Sequence, residues 1–307
     1  MTIIEVTRHA VAQQRIEQAL EGMPERAFSR WHTMRYGDMP LRRGLRELGE
    51  ELAEHVAART LRDPGLRAPE SRTALITVAE CAMGVLSLAC FPEGDFSVSL
   101  PLVSRTLDSE ELHYEERWEP AQPGTSARTW IDGFAWSVLS GLLWEPDRMI
   151  DPLLRDDYAP AIRDGVPYSK RQSVSPAADL AEMNALCGYL TDVQRRHPDA
   201  RPGPAPLPKP NAVERTRAAG QLDTAGTLTP DQRLLRVLLD DDQPLFEQEL
   251  RRRLMTYREG TSADPAVRSL LPVGAVTLTA LAQLAHGWQL DIRSAYLPEA
   301  LVSAPQP

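Results

Sequence analysis

The chain contains almost no lysine: Lys170 and Lys209 are the only two among 307 residues. Its positive charge therefore comes from arginine. Acidic residues still outnumber basic ones 43 to 34, for a formal net charge of −9. That balance has the wrong sign for wrapping a phosphate backbone, so direct contact with nucleic acid is not expected. Cysteine is equally scarce. Cys81, Cys90 and Cys187 are an odd set without CxxC spacing, which excludes a disulfide framework and a thiolate zinc site and fits a reducing compartment. None of the six histidines stands three or four residues from another, so the HExxH zinc pattern is missing. There is no GxSxG elbow, no GxxxxGK[ST] phosphate loop and no GxGxxG turn after a strand. Hydrolase, NTPase and dinucleotide chemistry thus lack an anchor, and neither a metal nor a cofactor is expected. A chain of this length hides roughly 75% of its unfolded surface and needs no such support to fold.

Long apolar runs are also rare. The N-terminal MTIIEVTRHAVAQQRIEQAL is too polar for a secretory signal, which leads to the expectation of a cytoplasmic protein. The one candidate span, Ala74 to Phe91, carries Glu80 in its middle, so it reads as a buried helix and no membrane partner is expected.

What the sequence does contain is helical periodicity. Leu41, Leu45, Leu48, Leu52 and Val56 form one stripe of a helix from about Pro40 to Leu61, stopped by Asp63, Pro64 and Gly65. A helix from Glu70 to Cys90 is apolar nearly all round and belongs at the centre. Phe96, Val98 and Leu100 alternate with serines, which suggests a short hairpin or extended segment near 96–105. Further helices are expected over Ser126 to Trp144, Pro176 to Arg195, Asp231 to Leu239 and Pro244 to Tyr257. Asp264 and Pro265 look like the cap and first turn of a long helix through Leu284. Pro298 and the Leu290/Ile292 alternation give the tail, Trp288 to Val302, an extended character. Six prolines between Pro198 and Pro210 exclude helix and mark a surface loop or linker. The expected fold is all-α, a single domain over residues 1–307 arranged as an antiparallel multi-helix bundle or irregular helical array.

Several groups could carry chemistry. Glu110 and His113 make one ExxH, where a helical di-iron site needs two plus further glutamates. Glu51 and His55 share a helix face and read as a surface pair. Asp240, Asp241 and Asp242 lack the DDxxD spacing of a magnesium site and read as an acidic turn ending a helix. Trp130, Phe134 and Trp136 could line a ligand pocket, although aromatics at helical spacing are usually core. Between Asp108 and Glu119 six acids face only Arg117, with Tyr114 and Trp118 interleaved, so this segment must be solvated. Its aromatic and acidic residues Glu110, Glu111, Tyr114, Glu115, Glu116 and Trp118 make it the candidate surface for a protein partner, since hot spots favour aromatics ringed by polar groups.

One stretch is more specific. LTPDQRLLRVLLDDDQPLFEQELRRRLMTYREG, followed by LLPVGAVTLTALAQLAHGWQLDIRSAYLPEALV, resembles the C-terminal pattern of the immunity protein 49 family of bacterial polymorphic toxin systems. The shared order is an Asp (Asp241 or Asp242) before a helix with Phe246 and Leu250, a small-residue helix from Ala280 ending in Ala-His-Gly at Gly287, then Ser294, Tyr296, Leu297 and Pro298. The helix near Trp130 resembles the family's tryptophan-containing helix, so the likeness covers about 126–302. This resemblance implies an all-helical protein that protects its producer by binding a cognate toxin domain without catalysis. A basic nuclease would suit a partner of charge −9. The rival expectation is an enzyme or accessory protein of a biosynthetic pathway that uses a tryptophan-lined pocket on the same scaffold.

Overall fold

A computed structural model of the chain describes residues 4–91, 94–109, 125–165, 174–191 and 207–303. The acidic segment from Glu110 to Glu119, the ExxH pair within it and most of the proline-rich stretch lie outside the described residues.

The first 36 residues, for which no element was expected, hold the strand β1 (Ile4–Val6) and the helices α1 (Gln13–Leu20) and α2 (Met23–Tyr36). The leucine stripe then forms α3 (Leu41–Arg59), with Leu41, Leu45, Leu48, Leu52 and Val56 all fully buried. α3 packs on α4 (Pro69–Cys90), and α4 in turn on α5 (Ala127–Ser140). Between α4 and α5, β2 (Ser97–Leu100) and β3 (Arg105–Asp108) pair antiparallel, with Val98 opposite Leu107 and both buried. This is the short hairpin that the alternation indicates.

By length and composition alone, α4 and the stretch Val267–Leu284 are apolar enough to cross a membrane, and both are mostly buried inside the fold. Glu80, in the middle of α4, is ion-paired with Arg148, which follows α5 on a short helical turn. Burial pushes the Glu80 carboxyl up to about 7, against the pull of Arg148.

α5 begins at Ser126, whose hydroxyl accepts the Thr129 N–H (3.3 Å), and stops four residues short of the expected Trp144. Gly141 adopts φ +84°, the left-handed conformation that ends helices at little steric cost. After a π-helical turn over Leu153–Tyr158 come α6 (Ala159–Asp164) and α7 (Ala177–Cys187). α7 ends well before Arg195 because the chain turns through Gly188, Tyr189 and Leu190 and carries Tyr189 into the core. α8 (Ala212–Thr224) and α9 (Pro230–Leu239) both start in capping boxes, Asn211 with Glu214 and Thr229 with Gln232. α10 (Gln243–Glu259) is capped by Asp242, which accepts the Leu245 N–H at 3.0 Å.

The long helix expected from Asp264 is in fact two elements, a 3-10 turn (Val267–Leu270) and α11 (Val273–Leu284). Pro272 explains the break: a residue before proline is disfavoured in helical conformation, and Leu271 sits extended at φ −130°, ψ 94°. In the tail, β4 (Ile292–Ser294) is extended as expected and pairs in parallel with β1, Ile4 opposite Ile292. A short helix α12 (Glu299–Val302) follows Pro298, where only extended chain was expected.

Candidate functional site: a mixed-charge cleft beside closed polar networks

α5 touches α4, α7 and α11, and so it helps to set both the core and a cleft. The cleft has a volume of about 590 Å³, within the range of small-molecule sites. One wall comes from α3 (Arg42, Arg46, Glu50) and the apolar floor from α4 (Val78, Ala82, Val85). α5 contributes Thr129, Asp132 and Trp136, and the far side holds Asp231, Arg253, Tyr257, Arg268, Ser269 and Gly274. Arg253 grips Asp231 at two points (2.7 and 3.3 Å) and stacks over Tyr257, 4.9 Å from the ring centre. Gly274 makes room for this pair, because a Cβ there would lie 2.5 Å from Asp231 Oδ2.

Asp132 differs from Asp231. Its side chain is solvent-exposed at the cleft, although many protein atoms crowd it there. Desolvation pushes its carboxyl up to about 6; Arg128 and Arg268 pull against that, and Asp179 adds to it. Among the described residues no hydrogen-bond donor meets the carboxylate, and the guanidinium groups of Arg46 and Arg268 make no hydrogen bond or close ion pair.

One helical turn earlier on α5 the polar groups are saturated. Arg128 donates to Asp179 and Glu182 (both 2.8 Å), and Gln232 Nε2 donates to the same two carboxylates (2.9 and 3.0 Å) while its Oε1 accepts the Thr229 N–H. This cluster ties α5, α7 and α9 together.

Two histidine networks have the outline of catalytic triads, and their donors and acceptors show otherwise. The backbone N–H of His9 donates to Tyr296 Oη (3.2 Å), and because Ser269 spends its own proton on Ala266 O the neutral ring accepts the tyrosine proton at Nδ1 (2.5 Å). Nε2 then carries the ring proton and donates it to Ser269 Oγ (2.8 Å), whose hydroxyl donates to Ala266 O (2.6 Å). Ser269 is therefore hydrogen-bonded in the sense opposite to an activated nucleophile. The network, with Arg8 donating to Thr60 Oγ1 (2.7 Å) and Ala295 O (3.2 Å), fastens the N-terminal segment to the tail. In the second network Asp241 accepts from His286 Nδ1 (2.8 Å), Lys209 (2.7 Å) and Arg215 (3.0 Å), and Tyr189 donates to His286 Nε2 (2.9 Å). Burial raises the Asp241 carboxyl, but these donors outweigh it and hold it below the usual range; burial keeps the Tyr189 hydroxyl protonated. Asp241 itself stands at φ +62°, between α9 and α10, so the acidic turn read from the sequence is an ion-pair hub.

Of the aromatic residues singled out from the sequence, Trp130 and Phe134 are fully buried, stacked at 5.4 Å, with Trp130 Nε1 donating to Leu154 O (2.8 Å). They are core, and only Trp136 lines the cleft. Glu110, Glu111, Tyr114, Glu115, Glu116 and Trp118 lie outside the described residues. His55 is no surface residue: it is buried, with Nδ1 on Ala19 O (2.9 Å), and Glu51 pairs with Arg30 and Arg26. Burial raises all three cysteines, Cys90 and Cys187 to about 12, which leaves them unreactive thiols. Among the described residues no group of three or more His, Cys, Asp or Glu could hold a metal ion.

Sequence reasoning overlooked a surface on α2. Phe28 is 42% and Tyr36 66% exposed; with Trp31 and His32 they form a continuous aromatic cluster, and Arg105 from β3 lies over Phe28 and Trp31 (5.8 and 5.3 Å). The spacing Phe28, Trp31, His32, Tyr36 was the available signal, a helical face of aromatics in a chain with few of them.

The family model for immunity protein 49 matches residues 63–301. The chain belongs to the immunity protein 49 family. The match begins well before the 126 read from the sequence, and it takes in α4, the hairpin, the Asp241 hub and Tyr296. β1, α1, α2 and the α3 wall of the cleft precede it. No curated protein and no solved structure matches the chain.

Proposed function

We propose that the protein is a cytoplasmic immunity protein that binds a cognate bacterial toxin domain and neutralises it stoichiometrically, without catalysis. The observation that carries this reading is the family match across residues 63–301. The polar chemistry supports it: both histidine networks are committed to internal hydrogen bonds, and neither offers an activated nucleophile. Two surfaces suit a protein partner. The acidic segment with Tyr114 and Trp118 would steer a basic domain such as a nuclease, and the Phe28/Tyr36/Arg105 cluster has the aromatic and arginine composition of interface hot spots. The test is co-expression with the toxin encoded beside this gene. Survival should require this protein, and the purified pair should elute as a 1:1 complex. Survival of cells lacking it, or failure of the pair to associate, defeats the reading.

A second reading has one observation in its favour. The cleft beside Trp136 has the volume and mixed lining of a small-molecule site, which a pure docking protein does not need.

A further inference from the structure

We propose that the cleft between α3, α5 and the Val267–Leu270 turn binds a small molecule that carries a carboxylate or phosphate on an apolar body. Arg46 and Arg268 would hold the anion, Asp132 would donate a hydrogen bond to it when protonated, and the body would lie along the α4 floor against Trp136. The proposal does not depend on the toxin reading.

Four arginines (Arg42, Arg46, Arg253, Arg268) converge on this cleft against three carboxylates (Glu50, Asp132, Asp231). Asp231 and Arg253 cancel each other in a closed two-point pair. Arg42 has a partner of its own, and once Asp132 is protonated Arg46 and Arg268 outweigh Glu50, in a protein whose overall charge is −9. The guanidinium groups of Arg46 and Arg268 can recognise planar or tetrahedral oxyanions by paired N–H···O bonds, and the same geometry is wasted on a neutral ligand. The floor of Val78, Ala82 and Val85 gains nothing from a bare ion, so the ligand needs apolar surface as well.

Asp132 gives the site a signature. The charged groups facing it are Arg128 on its own helix, Asp179 on α7 and Arg268 on the turn; Arg42, Arg46 and Glu50 of α3 and the Asp231–Arg253 pair share the cleft. Its carboxyl titrates near 6, and an anion seated beside it raises it further. Anion uptake therefore brings proton uptake, and affinity falls as pH rises from 5.5 to 8. A structural carboxylate or a purely apolar pocket has no such linkage.

The experiment is a calorimetric titration of the full chain with 4-phenylbutyrate and with phenyl phosphate, using 4-phenylbutanamide as the neutral control. Both anions should bind saturably at pH 5.5, the amide at least about tenfold more weakly, and affinity for each anion should drop about tenfold by pH 8. Arg268→Ala and Arg46→Ala should each weaken the anions by about tenfold and leave the amide unchanged. Asp132→Asn should keep the pH 5.5 affinity and lose the pH dependence, with unchanged near-ultraviolet circular dichroism as the folding control. Equal binding of anion and amide, no binding of either anion, or arginine variants that bind like the parent would each overturn the proposal.

Discussion

Arg128 and Asp132 stand one turn apart on α5 and meet opposite fates. Arg128, though partly exposed, is paired with Asp179 and Glu182, and both carboxylates also accept from Gln232. Asp132 faces a solvent-filled cleft, and no donor among the described residues meets its carboxylate. The first arrangement is what a fold needs, because polar groups taken from water must be paired. The second raises a group's ionisation cost and returns nothing to stability, so it is the kind of position at which a function is sought. The same contrast separates the Trp130–Phe134 stack from Trp136: two helical aromatics are sealed in the core, and the third borders open space.

The largest expected effect tests that last division. Trp130→Ala empties a fully buried site and removes the hydrogen bond to Leu154 O, so it should destabilise the protein by about 3–5 kcal/mol in urea unfolding. A cost under about 1 kcal/mol would mean that Trp130 borders a cavity after all. Next comes the closed network. Arg128→Ala leaves Glu182 and Asp179 with Gln232 alone, and a loss of about 2–3 kcal/mol is expected. Stability within about 0.5 kcal/mol of the parent would show that the cluster contributes little and that the two ends of α5 are alike.

Much of the framework was legible because local periodicity and burial agree. The α3 stripe, the all-round apolar α4 and the alternating hairpin each follow from one short window of sequence. What was not legible depends on distant pairings or on a single residue. The β1–β4 ladder joins three-residue strands at opposite ends of the chain, too short for any pattern to announce. The break before α11 was readable in Pro272, but the apolar run on either side masks it. The cleft is assembled from α3, α5 and the turn near Arg268, so its charged groups never appear together in sequence. Its one local sign was Asp132 itself, a carboxylate on α5 between Trp130 and Phe134.

Glu80 sharpens the comparison through pH. Its folded carboxyl, near 7, lies above the ordinary glutamate value of 4.5, so the folded state holds a proton that the unfolded chain has released. Its contribution is favourable below about 4.5 and is lost as pH rises to 7. Between pH 4.5 and 8 the parent should lose on the order of 2 kcal/mol more stability than Glu80→Gln, measured by urea unfolding at each pH. Parallel curves for the two proteins would mean that Arg148 keeps Glu80 ionised throughout.

The smallest effect is the most pointed. Asp132 also titrates above its ordinary range, near 6, so above that pH its charge opposes folding. Solvent within the cleft screens the penalty, and Asp132→Asn should raise stability at pH 8 by less than about 1 kcal/mol. The sign carries the argument. A structural carboxylate such as Asp179 loses hydrogen bonds on conversion to an amide and destabilises the fold. A carboxylate that the fold does not use costs nothing to neutralise, and stability-neutral loss of a charge that lines a cleft is the mark of a residue kept for binding. If Asp132→Asn melts below the parent at pH 8, Asp132 belongs with Arg128 among the structural groups and the cleft loses its claim to be a site.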